Sequence, residues 1–457
     1  MRVDIVVLAA GKGTRMKSAM PKVLHCLAGR PLLGHVLDRA RQLTDTDVTV
    51  VVGHGADQVK TAFDGDGIRW VDQTEQLGTG HALQQALPSL RPDAITLVLY
   101  GDVPLIALPT LQGLVSRVSD SSLGLLTVTL DNPAGYGRIV RDQSGNVVGI
   151  VEEKDASDAQ KALREVNTGV LALPPGLAAR LLGQIGNQNA QGEYYLTDII
   201  ALAVDRGFTV NTSQPSASYE TEGVNSRYQL NRLERIYQRQ RAIQLMDAGV
   251  TLADMHRFDC RGNLTSGEDS FIDLNCVFEG TVTMGSNVSI GPNCLICDAV
   301  IGDNVTIKAN TVIEGPVTIA ANVEVGPFAR LRPGTVLEEQ ARIGNFVETK
   351  KSRIGPGSKV NHLTYIGDTE IGRDVNVGAG TITCNYDGVN KFQTTIDDGA
   401  FIGSNTALVA PVTVGKGATV GAGSTITRNV ADGELAVARG KQKSIAGWQR
   451  PAKIEKD

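Results

Sequence analysis

The sequence predicts two architectures in succession: an α/β domain on a mostly parallel sheet, then a parallel β-helix. Three observations carry this reading. Up to about residue 224, short apolar runs alternate with amphipathic stretches. From about Leu264 the residues fall into hexads, each opening on an aliphatic side chain that is often followed by Gly. Only 4% of the 457 residues are aromatic while 51 are Gly, which suits tightly stacked backbone better than a conventional sandwich.

Val3–Leu8, 48–52, Ile95–Tyr100 and 123–128 read as buried strands, each a short apolar run. Residues 32–43, 79–87 and 110–118 read as helices between or beside them. Such alternation implies a parallel sheet, with the ligand crevice at the carboxyl ends of its strands. Residues 226–248 read as one helix, because Leu230, Leu233, Ile236, Tyr237 and Met246 recur near helical spacing and Gly249 can stop it. Its place between unlike compositions makes it a linker at 226–249, with domains at 1–225 and 250–457.

Hexads open at Ile290, Ile301, Ile307, Ile313, Ile319, Val325, Ile343, Ile354, Ile371, Val377, Ile402, Val414 and Val420. So long a repeat implies a β-helix in which each hexad gives one short strand and one corner, its opener pointing inward. Coils then stack about 4.8 Å apart through backbone ladders. The period breaks at 349–353, 364–370 and 383–395. Stacking does not need these breaks, and irregularities in a regular pattern tend to mark function. Tolerated loop variation is the alternative.

The net charge of −5 leaves no global basic field, which argues against nucleic acid or an anionic membrane as main partner. Six cysteines include one close pair, Cys294-x-x-Cys297, with no second pair or His beside it; buried thiols in a reducing compartment are the better reading than zinc. The apolar run after Met1 is short, contains Asp4 and meets a Gly-Lys-Gly turn at once, unlike a signal peptide. No stretch is long and apolar enough to span a bilayer. A soluble cytoplasmic protein is expected.

The most specific local motif is Leu8-Ala9-Ala10-Gly11-Lys12-Gly13-Thr14-Arg15-Met16, followed by Pro21-Lys22. Glycines let backbone N–H groups approach a phosphate chain, and Arg15 and Lys22 supply compensating charge. The spacing fits neither the Walker A motif nor Gly-x-Gly-x-x-Gly. Asp102 ends the strand Ile95–Tyr100 just beyond Gly101; a hard carboxylate there suits Mg²⁺ on a triphosphate, and a capping Asp is the alternative. In the β-helix, His362 is the only His within the repeats and lies in the irregular zone. An imidazole can take the proton leaving an attacking amine, whereas a surface-corner His would do nothing. Arg332 and Lys350 could clamp a sugar phosphate. Asn385-Tyr386 sits in the 383–395 insertion, and Glu348 is a candidate for orienting charge nearby, or a solvated corner carboxylate.

With a strand ahead and Pro21-Lys22 behind, the Gly-rich run resembles the signature of sugar-phosphate nucleotidyltransferases. Gln73, Gly78-Thr79, Tyr100-Gly101-Asp102, Gly135-Tyr136-Gly137-Arg138, Glu152, Asn167-Thr168-Gly169 and Gly223-Val224-Asn225 follow in order. Over residues 3–450 the chain resembles the family of bifunctional N-acetylglucosamine-1-phosphate uridyltransferase / glucosamine-1-phosphate N-acetyltransferases. The resemblance implies an α/β Rossmann-like nucleotidyltransferase domain followed by a left-handed parallel β-helix of hexapeptide repeats. It implies that Ala10, Gly11, Gln73, Gly78 and Thr79 hold the uridine side, and that Leu8, Ala9, Tyr100 and Gly101 also belong to the nucleotide/sugar site. Gly137, Glu152 and Asn167 would hold the amino sugar, Asp102 and Asn225 Mg²⁺, and Arg15 and Lys22 the phosphates.

In the β-helix the resemblance makes His362 the catalytic base. Arg332, Lys350, Tyr365, Asn376 and Lys391 would bind the sugar phosphate. Ala379, Asn385, Tyr386, Ser404, Ala422 and Arg439 would bind acetyl-CoA. The implied substrates are glucosamine-1-phosphate, N-acetylglucosamine-1-phosphate, UTP and acetyl-CoA, the implied assembly is a homotrimer, and the product serves cell-wall peptidoglycan and lipopolysaccharide synthesis. Acetyl transfer is expected to be direct, since Cys384 has no His beside it in the sequence. The tail from Lys441 could close over the coenzyme or fray. One rival is a nucleotidyltransferase for another sugar whose β-helix only assembles or binds effectors; His362, Asn385-Tyr386 and Arg439 argue against it. A non-catalytic scaffold would not need the Gly-rich loop, Lys22 and Asp102.

Overall fold

The computed structural model describes residues 2–43, 45–451 and 453. Two compact units, Met1–Tyr237 and Gln238–Asp457, meet within one helix, Arg227–Asp247. In the first unit the sheet order is Thr209–Ser213, Ser122–Thr129, Glu165–Leu173, Ile95–Tyr100, Val3–Leu8, Thr46–Val52 and Arg69–Asp72. Val3–Leu8 runs parallel to both its neighbours, whereas Glu165–Leu173 runs antiparallel to Ile95–Tyr100. Val3–Leu8 and Ile95–Leu99 are buried throughout, as strands covered on both faces must be. Helices form at Leu32–Ala40, Thr79–Ala86 and Leu108–Val115. The last starts two residues ahead of the sequence-based expectation because Pro109 stands in its first turn, where no N–H is missed.

In the second unit every hexad opener named above is 0–3% exposed, so the openers form the inner lining. One face is an 11-stranded parallel ladder. The other two faces begin as long strands, Phe258–Ser266, Cys276–Met284, Leu295–Ile301 and Val312–Ile319, which then give way to two separate ladders. Coil length explains the breaks in period. Thr265 and Thr283 stand side by side 18 residues apart, as three hexads require. Ser352 and Thr369 meet at 17, and Arg373 and Asp398 at 25. The shortened coils carry hydroxyls inside. Ser352 Oγ accepts from Thr369 N at 3.1 Å, and Thr335 and Thr349 Oγ1 lie 3.0 Å apart, so the disturbed backbone keeps partners. The extra residues of the long coil leave as a hairpin closed by the Tyr386–Lys391 bridge.

One corner also changes character. Asn275, Asn293 and Asn310 occupy left-handed positions there, as Asn tolerates. The next coils place Phe328, Phe346 and Leu363 in that conformation, at φ 55°, 55° and 49°. The two rings stack at 5.2 Å and remain about half exposed. Of the tail from Lys441, the described part is exposed and has no strand or helix; 452 and 454–457 lie outside the described residues.

Ile343→Ala, which empties part of the inner lining, is expected to lower stability by about 2–5 kcal/mol. The check is amide hydrogen exchange of the flanking coils in the full chain; unchanged protection would place that side chain outside the core.

Candidate active sites

At the carboxyl ends of Val3–Leu8 and Ile95–Tyr100 lies a cavity of about 570 Å³. Leu8, Ala9, Ala10, Gly11, Lys22, Gln73, Gly78, Thr79, Tyr100, Asp102 and Asn225 all line it. Gly101 is buried beneath it, and Arg15 stands exposed on the Gly-rich turn. Gly13 is required for this turn: its φ is +61°, and a Cβ would meet Lys22 Cβ at 2.7 Å. The loop therefore lies directly against Lys22.

Lys22 Nζ donates to Asp102 Oδ2 and, at 3.2 Å, to Asn225 Oδ1. Chain connections far apart in sequence produce this meeting. Val224 N donates to Asp102 O at 2.9 Å. Asn225 N donates to Gln229 Oε1 at 2.8 Å, and Ser226 Oγ accepts from Gln229 N at 3.2 Å, so the cap of helix Arg227–Asp247 also fixes Asn225. Two hard oxygens thus converge on a cation that the protein itself supplies. A carboxylate plus an amide oxygen is a sufficient protein share for a divalent metal that takes its other ligands from water and substrate phosphates. No group of three or more His, Cys, Asp or Glu poised for a metal exists among the described residues.

The amino-sugar candidates gather beside the cavity. Asn167 N donates to Gly137 O at 2.9 Å, and a Cβ on Gly137 would lie 3.4 Å from Glu152 Oε2. Thr197 Oγ1 donates to Glu152 Oε1 at 2.9 Å. Burial raises the Glu152 pKa against the lowering effect of that hydrogen bond. Tyr100 joins the two regions. Burial first, then the charges of Glu152 and Asp102, push its phenol well up, and its ring fills the space above Gly169, whose φ is +84°.

In the β-helix, Asn345, His362, Ala379, Ser404, Ala422 and Arg439 form one column along a corner. The residue after each of His362, Ala379, Ser404 and Ala422 is hydrogen-bonded to the column member of the coil before. Leu363 N donates to Asn345 O, Gly380 N to His362 O, Asn405 N to Ala379 O and Gly423 N to Ser404 O, at 2.7–3.2 Å. Arg439 Nη1 closes the series on Ala422 O at 2.6 Å. His362 Nδ1 lies 2.7 Å from Asn345 Oδ1. An amide oxygen accepts, so the ring proton sits on Nδ1 and Nε2 keeps a lone pair directed away from Asn345. The residues that follow His362 up the column, Ala379, Ser404 and Ala422, are small.

The phosphate candidates lie on the ladder beside this corner. Arg332 and Lys350 directly follow the paired residues Leu331 and Thr349. Lys391 reaches Lys350 from the hairpin, and its charge lowers the Lys350 pKa. Arg332 Nη1 donates to Glu348 Oε1 at 2.8 Å, so Glu348 orients Arg332. Asn385 Nδ2 donates to Asp368 Oδ2, which ties the hairpin base to the coil, while Tyr386 stays exposed. Tyr365 follows Glu348 in register, and Asn376 lies on the adjoining face, paired with Lys359. Sequence reasoning missed Asn345, His81 and Thr197. Asn345 had a usable signal, since it stands one coil ahead of His362.

Comparison with known proteins agrees with this two-part layout. Residues 5–166 match the MobA-like NTP transferase domain. Residues 298–333 and 393–428 match the bacterial transferase hexapeptide (six repeats), and 281–314 the hexapeptide repeat of succinyl-transferase. The Bifunctional protein GlmU of Marinobacter nauticus is 60% identical over 451 residues, 99% of each chain. That of Cellvibrio japonicus is also 60% identical over 99% of each chain, and that of Pseudomonas entomophila 56% over 100% of each. With near-complete coverage at such identity, the chain belongs to the bifunctional GlmU family, which joins a uridyltransferase to an N-acetyltransferase on a left-handed β-helix for UDP-N-acetylglucosamine synthesis.

Proposed function

We propose that the column of His362 makes N-acetylglucosamine-1-phosphate and that the cavity of Asp102 then converts it to UDP-N-acetylglucosamine, as a precursor for cell-wall peptidoglycan and lipopolysaccharide. The observation that carries this reading is the alignment of Asn345, His362, Ala379, Ser404, Ala422 and Arg439 on one corner. A base at one end of the column and a cation at the other suit an acyl thioester on a long phosphorylated carrier.

In acetyl transfer, Arg332, Lys350 and Lys391 hold the phosphate of glucosamine-1-phosphate, with Tyr365 and Asn376 beside the sugar. The amine attacks the thioester carbonyl of acetyl-CoA, bound along Ala379, Ser404, Ala422 and Arg439 with Asn385 and Tyr386 at the hairpin. His362 Nε2 takes the amine proton, and coenzyme A leaves as its thiol once protonated. In uridyl transfer, a phosphate oxygen of N-acetylglucosamine-1-phosphate attacks the α-phosphorus of UTP and pyrophosphate leaves. Gly137, Glu152 and Asn167 position the sugar, while Ala10, Gly11, Gln73, Gly78 and Thr79 position the nucleotide. Mg²⁺ held by Asp102 and Asn225 would neutralise charge on the triphosphate and the leaving pyrophosphate. Lys22, released from Asp102 when that charge arrives, turns to the phosphates with Arg15.

The working form is proposed to be a homotrimer, in which the exposed file Phe328, Phe346 and Leu363 beside the column is covered by a second copy. The proposed location is the cytoplasm. All six cysteines are free thiols, and no described helix is long and apolar enough to cross a membrane.

Product masses test the division of labour when glucosamine-1-phosphate, acetyl-CoA, UTP and Mg²⁺ are mixed with the protein. Asp102→Ala should stop at N-acetylglucosamine-1-phosphate; normal pyrophosphate release by that variant sinks the metal assignment. His362→Ala should slow acetylation about 10²–10⁴-fold and recover when N-acetylglucosamine-1-phosphate is supplied. If it releases coenzyme A at the wild-type rate, the base lies elsewhere. The Lys350 charge, depressed by Lys391, is present at low pH and lost as pH rises through its lowered pKa. KM for glucosamine-1-phosphate should therefore climb at alkaline pH. Lys391→Ala should move that climb to higher pH while raising KM throughout, and a climb left in place would separate Lys350 from phosphate binding.

A further inference from the structure

On the reading above, Gln73 helps hold the uridine side of the nucleotide; the inference here takes its side chain to meet the base and rests on that reading. The side chain is 3% exposed. Its Nε2 lies 3.0 Å from Gly78 O and 3.1 Å from His81 Nδ1. A backbone carbonyl can only accept, so the end of the amide beside Gly78 is the NH₂. The second hydrogen of that NH₂ points at His81 Nδ1, which must then be a lone pair. The imidazole proton is left on Nε2, and the Gln85 atom 3.0 Å away is its Nε2; a ring N–H cannot donate to an NH₂, so this amide must turn over to present its oxygen. No protein donor reaches Gln73 Oε1 among the described residues, so this oxygen is left to the cavity that Gln73 lines.

We propose that His81 is a positioning residue for base selection. By accepting the second hydrogen of the Gln73 NH₂, whose first goes to Gly78 O, it strengthens the hold that commits Oε1 to the base. The site then accepts a pyrimidine with a ring N–H, uracil or thymine, and rejects cytosine, whose ring N3 would set a lone pair against a lone pair. His81 touches no substrate; it acts through the orientation of one amide. Gln85, once its oxygen is turned to Nε2–H, holds the tautomer that makes this work.

His81→Phe removes the acceptor and keeps a ring near Tyr194, whose centroid lies 6.4 Å from that of His81. The measurement is kcat/KM for UTP against CTP, with N-acetylglucosamine-1-phosphate and Mg²⁺, supported by direct binding of each nucleotide. His81→Phe should narrow the UTP preference about ten-fold, the worth of one buried hydrogen bond, with KM for the sugar phosphate unmoved. Gln85→Glu, a permanent acceptor for Nε2–H, should keep the wild-type preference. His81→Asn, which leaves an amide oxygen where Nδ1 stood, should also keep it, and serves if His81→Phe does not fold. An unchanged preference in His81→Phe, or a loss in His81→Asn, overturns the proposal. If the wild type makes no use of UTP, the reading of the cavity itself fails, a distinct result from either.

Discussion

In-register stacking of coils is the constraint on which the second unit depends. Each coil pairs residue for residue with the next, so a given position repeats as a column up the helix. Inner columns are mostly aliphatic, with hydroxyls such as Thr335, Thr349 and Ser352 where they bond one another or the backbone. Outer columns are free, and a corner can carry a different side chain in every coil. Extra residues cannot enter a ladder without breaking it, so the long coil extrudes its surplus as the 385–392 hairpin. Function and regularity are therefore not in competition: the ladder fixes spacing, and the corners spend that precision on chemistry.

The first unit reaches convergence by another route. Parallel strands end together, and the loops that follow them meet at one edge. The bond from Val224 N to Asp102 O and the cap at Ser226 bring the far end of the unit to the same place. Lys22 at the centre keeps the Asp102 charge compensated, which spares the protein an isolated carboxylate in a largely enclosed position. A substrate bearing several negative charges and a metal can take over both partners at once.

The inner lining of the β-helix was legible because its signal is periodic: all thirteen hexad openers named from the sequence are inward. The Gly-rich loop, Lys22 and Asp102 were legible because phosphate chemistry demands a particular loop. Other features depend on tertiary contacts. Glu165–Leu173 gives no hint of running antiparallel, and the helix expected to reach residue 43 ends at Ala40 because its final turn tightens, with Leu43 N bonded to Ala40 O. Asn345 looks like any corner Asn until the coil length is known. His81 looks like an ordinary helix residue, since its partner Gln73 lies outside the helix.

The corner column has the properties of a ruler. It advances in fixed increments of about 4.8 Å, one per coil. Four increments separate His362 from Arg439, so the interval between the two corner positions is about 19 Å and is held by backbone rather than by flexible side chains. Such an interval cannot drift by small amounts. Adding or deleting a coil would change it by a whole step, whereas substitutions within a coil would leave it intact. The reach demanded of an acyl carrier is thereby quantised, and a carrier's length, as much as its chemistry, becomes a property the fold can select.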